Sequence, residues 1–383
     1  MGRTSIDMKT AYIVALALAV TASAPPRNLR DLRAPNSVPS VLSLFSFDPA
    51  SAASSAFVVA QHAAHVLPAL SRLAQQAAPL QGIVSGALPA QTISPEWCKD
   101  LPRPEYKSLE RVLPNEPWFE VYRIRPGVFA IYEPHQAEEV ISYLIVGTKQ
   151  ALLFDTGMGI ANIQKVVRQL TGKPVVVLNS HTHNDHVGGN SLFNFVFGMD
   201  TAFTRQNAKG SKADAQEELG SGMLCGDLPK SFDPKTYATK PWHISLFVHD
   251  GFKVNLGAGH TLEIIATPGH TPDAIALFDR ENGLLFTGDT YYPGPLWLFR
   301  PETDLDAYVA SVKKLAALEP QVKLVLGAHN VPVADPSILG KLVTAIEDVR
   351  AGKVEGKPLE GGKTSYTTNG ITFLLASTPQ GVK

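Results

Sequence analysis

The sequence predicts an α/β protein in which β-sheets are sandwiched between helices. Short strands and amphipathic helices alternate from about residue 118 onwards. Polar, chemically active side chains recur in the loops at the ends of these strands, where a rigid framework holds functional groups best. The 383 residues are 44% hydrophobic and 18% charged, which is enough apolar material for one large domain or two modest ones.

The first 24 residues are predicted to be a signal peptide. Lys9 precedes an apolar run at residues 11–20, and the small residues of TASA follow it. The run is too short to span a bilayer, which takes about 20 residues. We therefore expect a secreted or periplasmic protein with no stable membrane insertion after processing. A loose apolar N-terminus on a cytosolic protein is the alternative.

Residues 25–116 are predicted to be a leader that is partly disordered or partly helical. This segment is rich in Ala, Ser and Pro and poor in charge, and Pro68 interrupts its helical spacing of apolar residues. The catalytic domain is expected to occupy residues 117–383. Cys98 and Cys225 are the two cysteines of the chain. They could pair in an oxidising compartment, but the sequence does not decide this.

The first half of the expected domain alternates strands with one amphipathic helix. Turn residues at Pro126-Gly127 and Gly147-Thr148 separate antiparallel strands. Apolar spacing predicts a helix that ends at Gly172, followed by a buried strand. The predicted elements are strands within 118–134 and 139–157, a helix at 160–172 and a strand at 174–180.

The second half continues this alternation after a polar helical stretch at about 204–219. Asp304 lies near the start of a predicted helix, and Asn369-Gly370 has the composition of a tight hairpin turn. The predicted elements are strands within 243–270 and 274–289, a helix at 304–319, a strand at 322–330, a helix at 335–352 and a closing hairpin at 365–377.

Histidine and aspartate cluster in the loop after the strand at 174–180. The sequence there is SHTHNDHVGG, and imidazole and carboxylate are the groups that zinc takes from proteins. In an extended segment alternate side chains share one side, so His181, His183 and Asp185 point the same way and His186 follows. Three later loops at strand ends supply further donors: His270 in ATPGHTPD, Asp289 in LFTGDT and His329 in LGAHN.

Asp155 in LLFDTG follows an earlier strand in the same way. We interpret it as a carboxylate that accepts the second N–H of a ligand histidine and so orients it. The remaining histidines lie outside this ordered set, and we expect them to be ordinary surface or core residues: His62, His65, His135, His243, His249 and His260.

The ordered motifs HxHxDH, His, Asp and His, preceded by FDTG, resemble the metallo-β-lactamase-fold hydrolase superfamily over roughly residues 117–378. The resemblance is to its glyoxalase II-like and lactonase-like members. It implies an α/β fold built as a four-layer αββα sandwich. It also implies two Zn²⁺ per chain, with Mn²⁺ or Fe²⁺ as alternatives. One ion would be held by His181, His183 and His270, the other by Asp185, His186 and His329, with Asp289 bridging both.

Such a pair of ions predicts metal-assisted hydrolysis of a small molecule. The ions would lower the pKa of a bridging water toward 7 and polarise a carbonyl oxygen. By the same resemblance, Asp185 would orient the attacking hydroxide and help to move its proton. The expected substrate is a small ester, lactone or thioester. The net charge of −1 gives no electrostatic case for nucleic acid as a partner.

Other functions stay open at this point. β-Lactam hydrolysis is the enzymatic alternative, although true β-lactamases of this fold generally carry Cys or Ser at the position of Asp289. Phosphodiester hydrolysis is a weaker alternative. Identity with glyoxalase II is disfavoured because only one helix and a hairpin are predicted after His329. A non-enzymatic scaffold would be expected to have lost a ligand, and none is missing here.

An aromatic segment follows Asp289, in the sequence TYYPGPLWLF. Its side chains either line a pocket beside the metals or pack in the core. If they face the pocket, Tyr291 or Tyr292 would donate a hydrogen bond to the substrate carbonyl, as a tyrosine does in the related lactonases. Residues 195–242 are expected to form an insertion near the mouth of the site.

Overall fold

The computed structural model describes residues 95–257 and 259–377. The predicted signal peptide and most of the predicted leader, residues 25–94, lie outside this part of the chain. Within it, no helix combines the length and apolar character that crossing a membrane requires.

The first sheet contains eight strands that are neighbours in chain order. Strands β1 to β5 pair antiparallel, and β5 to β8 pair parallel. The strands are β1 (Glu110–Val112), β2 (Glu120–Arg125), β3 (Val128–Tyr132), β4 (Ile141–Val146), β5 (Ala151–Phe154), β6 (Val175–Leu178), β7 (Val196–Met199) and β8 (Leu246–Val248).

The second sheet contains five strands in the order β14-β12-β11-β10-β9. Three antiparallel pairs join β9 to β12, and β14 pairs parallel to β12. The strands are β9 (Lys253–Gly257), β10 (His260–Ala266), β11 (Ile275–Asp279), β12 (Leu284–Gly288) and β14 (Leu324–Gly327).

A third, four-stranded sheet was not predicted from the sequence. Its order is β13-β17-β16-β15, and the predicted hairpin with its turn at Asn369-Gly370 forms β16 and β17. Both turn residues have positive φ, 53° and 76°, as a two-residue hairpin turn requires. The strands are β13 (Pro295–Leu298), β15 (Gly356–Leu359), β16 (Lys363–Thr368) and β17 (Ile371–Ala376).

The predicted helices form with local capping. The side chain of Asn162 accepts a hydrogen bond from the backbone at the start of α1, and Asp304 does the same at α5. The polar stretch at 204–219 is two short helices rather than one. The α-helices are α1 (Ile163–Leu170), α2 (Asn184–Val187), α3 (Ala202–Asn207), α4 (Ala213–Glu217), α5 (Leu305–Ala316) and α6 (Ile338–Arg350), and the 3₁₀ helices are Glu96–Asp100, Pro104–Ser108, Asn190–Leu192 and Glu319–Gln321.

The layered arrangement of the fold is seen in strands whose two faces are both buried, each face against a different layer. In β3, Val128, Ala130 and Tyr132 join the apolar cluster between the first two sheets, whereas Phe129 and Ile131 join the cluster on the outer face of the first sheet. A further cluster lies between the second sheet, helices α5 and α6, and the third sheet. The predicted αββα sandwich is confirmed, with the third sheet added to one outer layer.

The packed unit begins upstream of the expected boundary at residue 117. Strand β1 pairs with β2, and Tyr106 is buried against Tyr122 and Tyr132. Residues 95–116 are therefore part of the folded unit and not of a leader. Cys98 and Cys225 form a disulfide with their Cα atoms 5.8 Å apart, which answers the pairing question that the sequence left open.

Candidate metal centre

The loops that carry the predicted ligands meet at one edge of the sandwich. His181 follows β6, and α2 carries Asp185 and His186. Asp289 follows β12 directly, and His329 follows β14 after one residue. The loops after β5 and β6 are joined by the Asp155 carboxylate, whose Oδ1 accepts a hydrogen bond from the Ser180 backbone N at 2.7 Å. Strand ends thus bring distant parts of the chain to a common point.

Three imidazole nitrogens form the first donor group. The Nδ1 atom of His183 lies 3.0 Å from the Nε2 atom of His181 and 3.0 Å from the Nε2 atom of His270. A tetrahedral zinc ion with bonds of about 2.0–2.1 Å separates its ligands by roughly 3.3 Å. The spacing and convergence of these nitrogens fit such an ion.

Asp185, His186 and His329 form the second donor group. The Nε2 atom of His186 lies 2.9 Å from Oδ2 of Asp185. The Nε2 atom of His329 lies 3.2 Å from Nε2 of His186 and 3.6 Å from Oδ2 of Asp185. These atoms are buried, and the Asp185 carboxylate pairs with the two histidines of the group.

Asp289 lies between the two groups. Its Oδ2 atom is 3.6 Å from Nε2 of His270, and its Oδ1 atom is 3.1 Å from Nε2 of His329 and 3.5 Å from Nε2 of His186. The side chain is buried. Its Oδ2 atom is hydrogen-bonded to Nε2 of His329 at 3.2 Å, whereas its Oδ1 atom has no hydrogen bond of acceptable geometry. A buried carboxylate oxygen without a donor is costly, and a cation would compensate that cost.

Each of the five histidines uses its other ring nitrogen in a hydrogen bond to an oxygen, an arrangement that fixes the ring and leaves the inner nitrogen free to bind a metal. The predicted role of Asp155 fits this pattern. The contacts are His181 Nδ1 to Ser180 Oγ at 3.0 Å, His183 Nε2 to Glu302 Oε1 at 2.7 Å, His270 Nδ1 to Trp297 O at 2.7 Å, His186 Nδ1 to Asp155 Oδ2 at 3.0 Å and His329 Nδ1 to Glu138 O at 2.5 Å.

The donor pKa values differ between the two groups. Burial, together with the neighbouring His183, lowers the pKa of His270 to about 4, so this ring is neutral. Burial also lowers the pKa of His329, but the Asp289 carboxylate outweighs it and raises the pKa to about 9. Cation binding at the second group would therefore release protons.

A pocket of about 380 Å³ opens beside the donors. Asp185, Asp289, His183 and His270 line its floor. The predicted insertion at 195–242 forms much of its wall, because residues of α3, α4 and the following loop line it. The position expected for this insertion, at the mouth of the site, agrees with the structure.

The roles predicted for the two tyrosines do not fit the structure. Tyr291 is buried in the cluster between the second sheet and α5 and does not line the pocket. Tyr292 lines the pocket, but its hydroxyl donates to the Pro295 backbone oxygen at 2.6 Å. Its ring packs against His329 at 4.7 Å between centroids. Neither hydroxyl is therefore placed to donate to a substrate.

Sequence reasoning missed the oxygen partners of four ligand histidines. Two of them are side chains without a motif of their own, Ser180 and Glu302. The other two are the backbone carbonyls of Trp297 and Glu138, which have no sequence signal. Among the described residues, the histidines that we expected to be incidental belong to neither donor group. For example, His135 contacts the Cys225 carbonyl, and His260 pairs with Asp279 at 2.7 Å.

Comparison with known proteins agrees with this geometry. The family model of the metallo-beta-lactamase superfamily matches residues 138–329, which contain all the predicted ligands. The chain is 24% identical over 228 residues to human "Acyl-coenzyme A thioesterase MBLAC2", covering 55% of this chain and 81% of that protein. It is 28% identical over 217 residues to a "Hydroxyacylglutathione hydrolase" of Rhizobium meliloti, covering 53% and 70%.

A "Probable metallo-hydrolase YqgX" of Bacillus subtilis is 28% identical over 194 residues, covering 49% of this chain and 84% of that protein. Among solved structures, the metallo-beta-lactamase family protein TTHA1429 of Thermus thermophilus has 23% identity and a TM-score of 0.47, covering 60% of this chain and 82% of that one. The family model spans half of the chain, and on that basis this protein belongs to the metallo-beta-lactamase superfamily of metallohydrolases.

Proposed function

We propose that this protein is a dinuclear zinc hydrolase that cleaves a small ester, lactone or thioester. The observation that carries the proposal is the arrangement of the donors. Two groups of three donors converge, and the Asp289 carboxylate lies between them at the floor of an open pocket. This arrangement supports two ions with access to a substrate.

Two bound zinc ions would supply Lewis-acid polarisation of a carbonyl oxygen and a water acidified to near neutral pH. The chain's own residues would do the positioning. Asp185 lines the pocket, and its carboxylate would accept a hydrogen bond from the attacking water and hold its orientation. His183 and His270 also line the pocket, and their rings would form the surface against which the substrate carbonyl group lies.

The relatives' names favour acyl transfer to water. One is named an acyl-coenzyme A thioesterase and another a hydroxyacylglutathione hydrolase, and both names describe thioester or acyl cleavage. Asp289 supports the same choice, since the resemblance associates an aspartate here with thioesterases and lactonases rather than with β-lactamases. β-Lactam hydrolysis is the competing outcome.

Metal analysis and a substrate panel test this proposal. We expect about two zinc ions per chain and chelator-sensitive hydrolysis of at least one aryl ester, lactone or thioester in a panel that also contains nitrocefin and a phosphodiester. Asp289→Asn should lower zinc stoichiometry and kcat/KM together, whereas Asp227→Asn, an exposed control outside the pocket, should change neither. Two bound ions without hydrolysis of any acyl substrate would contradict the proposal.

We also propose that the protein is exported. The apolar run at residues 11–20 supports this, and so does the disulfide between Cys98 and Cys225, since disulfides persist mainly in oxidising compartments. N-terminal sequencing of protein recovered outside the cytosol should begin near residue 25. Intact Met1 on the mature protein would contradict export by a cleaved signal peptide.

A further inference from the structure

The wall of the pocket is acidic. Five carboxylates that belong to neither donor group line it, and the guanidinium of Arg300 is the one lysine or arginine side chain among the lining residues. The acidic residues are Glu138, Asp214, Glu217, Glu218 and Glu302. We propose that this wall selects substrates whose leaving group is neutral or cationic and discriminates against polyanionic leaving groups such as coenzyme A. The inference rests on the proposed function.

The excess of negative charge does not depend on the most buried members. Burial raises the pKa of Glu138 to about 7 and that of Glu218 to about 8. With both of these uncharged, Asp214, Glu217 and Glu302 still face a single guanidinium. Asp214 and Glu217 are both exposed to solvent, unlike Glu138 and Glu218.

The acidic wall is built on a fixed helix. Asp214 and Glu217 are three residues apart on α4 and therefore share one face of it. Ala215 is buried, and the side chain of Gln216 donates hydrogen bonds to the Pro234 and Tyr237 carbonyls, both at 2.8 Å. These contacts hold α4 in place, so the two carboxylates stay at the wall.

The floor of the same pocket carries the candidate metal centre, so the acidic wall stands beside the reacting groups. Asp289 is 8% exposed, lines the pocket and has an oxygen without a hydrogen-bond partner. In the orientation that we propose, the carbonyl group lies on this floor and the leaving group extends along the wall. The charge of the leaving group would then interact with α4 and with the loop that carries Arg300 and Glu302.

The size of the effect follows from Coulomb's law. Two unit charges about 8 Å apart in water interact strongly enough to change an equilibrium constant about two- to threefold. Charges that line one cleft act together and reinforce one another. We therefore expect kcat/KM for a polyanionic thioester to be at least about tenfold below that of a neutral thioester with the same acyl group.

Three acetyl thioesters with thiols of different charge provide the experiment: acetylthiocholine, the N-acetylcysteamine thioester and acetyl-coenzyme A. We compare kcat/KM on the zinc-loaded protein at low and high salt. Calorimetry on unreactive thioether analogues gives the binding order without turnover. Asp214→Asn/Glu217→Gln is the test variant, and Glu360→Gln, an exposed residue outside the pocket, is the control.

We expect the neutral and cationic compounds to be preferred in both measurements, with the preference weakened by salt. The double variant should raise the ratio of anionic to neutral kcat/KM at least about fivefold, and Glu360→Gln should leave the ratio unchanged. Equal or better use of acetyl-coenzyme A, or an unaltered ratio in the double variant, would overturn the inference. Loss of hydrolysis for all three thioesters and the rest of the acyl panel would instead overturn the proposed function.

Discussion

Glu302 holds the one ligand histidine that offers Nδ1 rather than Nε2 to the metal centre. Its Oε1 atom lies 2.7 Å from Nε2 of His183, and both side chains are about one-fifth exposed. A carboxylate in this position strengthens the basicity of the ring and fixes its tautomer. The orientation of the His183 ring depends on this hydrogen bond, because the ring lines the pocket and is open to it on that side.

We expect Glu302→Gln to weaken zinc binding at the first donor group about tenfold, because the amide can still accept a hydrogen bond but lacks the charge. Competition with a chromophoric chelator measures the two dissociation constants. Asp214→Asn is the matched control, since it removes another carboxylate that lines the pocket but belongs to neither donor group. Equal dissociation constants in both variants would refute a specific role for Glu302.

At the residue scale, sequence reasoning found the donors and one of their partners, Asp155, but not the other partners. His181, Asp289 and His329 could be recognised because each follows a strand in a fixed motif. Glu302 could not, because it lies more than one hundred positions from His183 in sequence, and only the folded chain brings the two together. The prediction for the two tyrosines was wrong for a related reason. The sequence of an aromatic segment does not show which side chain packs in the core, as Tyr291 does, or which hydroxyl bonds to the backbone, as that of Tyr292 does.

At the scale of elements, the site depends on close packing between two loops. Gly188 ends α2, and a Cβ atom placed there would lie 2.1 Å from the Met158 backbone oxygen. Its backbone N also donates to the Gly157 carbonyl at 2.9 Å. The loop after β5 and the C-terminal end of the donor helix α2 therefore touch backbone to backbone.

Gly188→Ala should lower the free energy of unfolding by about 2 kcal/mol, because the backbone atoms in contact with the new methyl group cannot move away cheaply. It should also weaken zinc binding at the second donor group, since Asp185 and His186 lie on the displaced helix. Denaturant unfolding and chelator competition measure the two effects. Gly172→Ala is the control, because nothing lies within 4 Å of its Cβ position. Equal stability of the two variants would contradict this account.

Most elements of the two main sheets were predictable because their strands are apolar runs that end in turns. Strand β1, which is short and polar, and β7, which lies in the predicted insertion, were not predicted. The third sheet was not predicted either. Strand β13 pairs in parallel with β17, which lies far along the chain, and no local pattern reports such a partner. Strand β15 is mostly exposed, so it lacks the apolar pattern by which buried strands are recognised.

At the scale of the whole molecule, residues 95–108 fasten two distant parts of the chain. Beyond the disulfide, Trp97 donates a hydrogen bond to the Gly222 carbonyl at 2.8 Å. Arg103 forms an ion pair with buried Glu139 and donates to Asn330, the residue after ligand His329. The segment that composition assigned to a leader therefore braces the insertion and the loop behind the second donor group.

We expect the double variant Cys98→Ser/Cys225→Ser to lose about 2–4 kcal/mol of unfolding free energy, because the disulfide closes a long loop in the unfolded chain. Its zinc stoichiometry at room temperature should stay unchanged, since no donor lies in either joined segment. Thermal unfolding with metal analysis of the same samples tests both statements. A variant as stable as the wild type, or one that loses zinc while folded, would show that this description of the segment is wrong.

The disulfide also makes the protein convenient to label. The chain has two cysteines, and both are consumed in this bond. A single cysteine introduced on the pocket wall, for example at Asp214, would be the sole reactive thiol of the oxidised protein. A fluorophore attached there would sense the arrival of a compound directly, whether or not that compound is ever turned over.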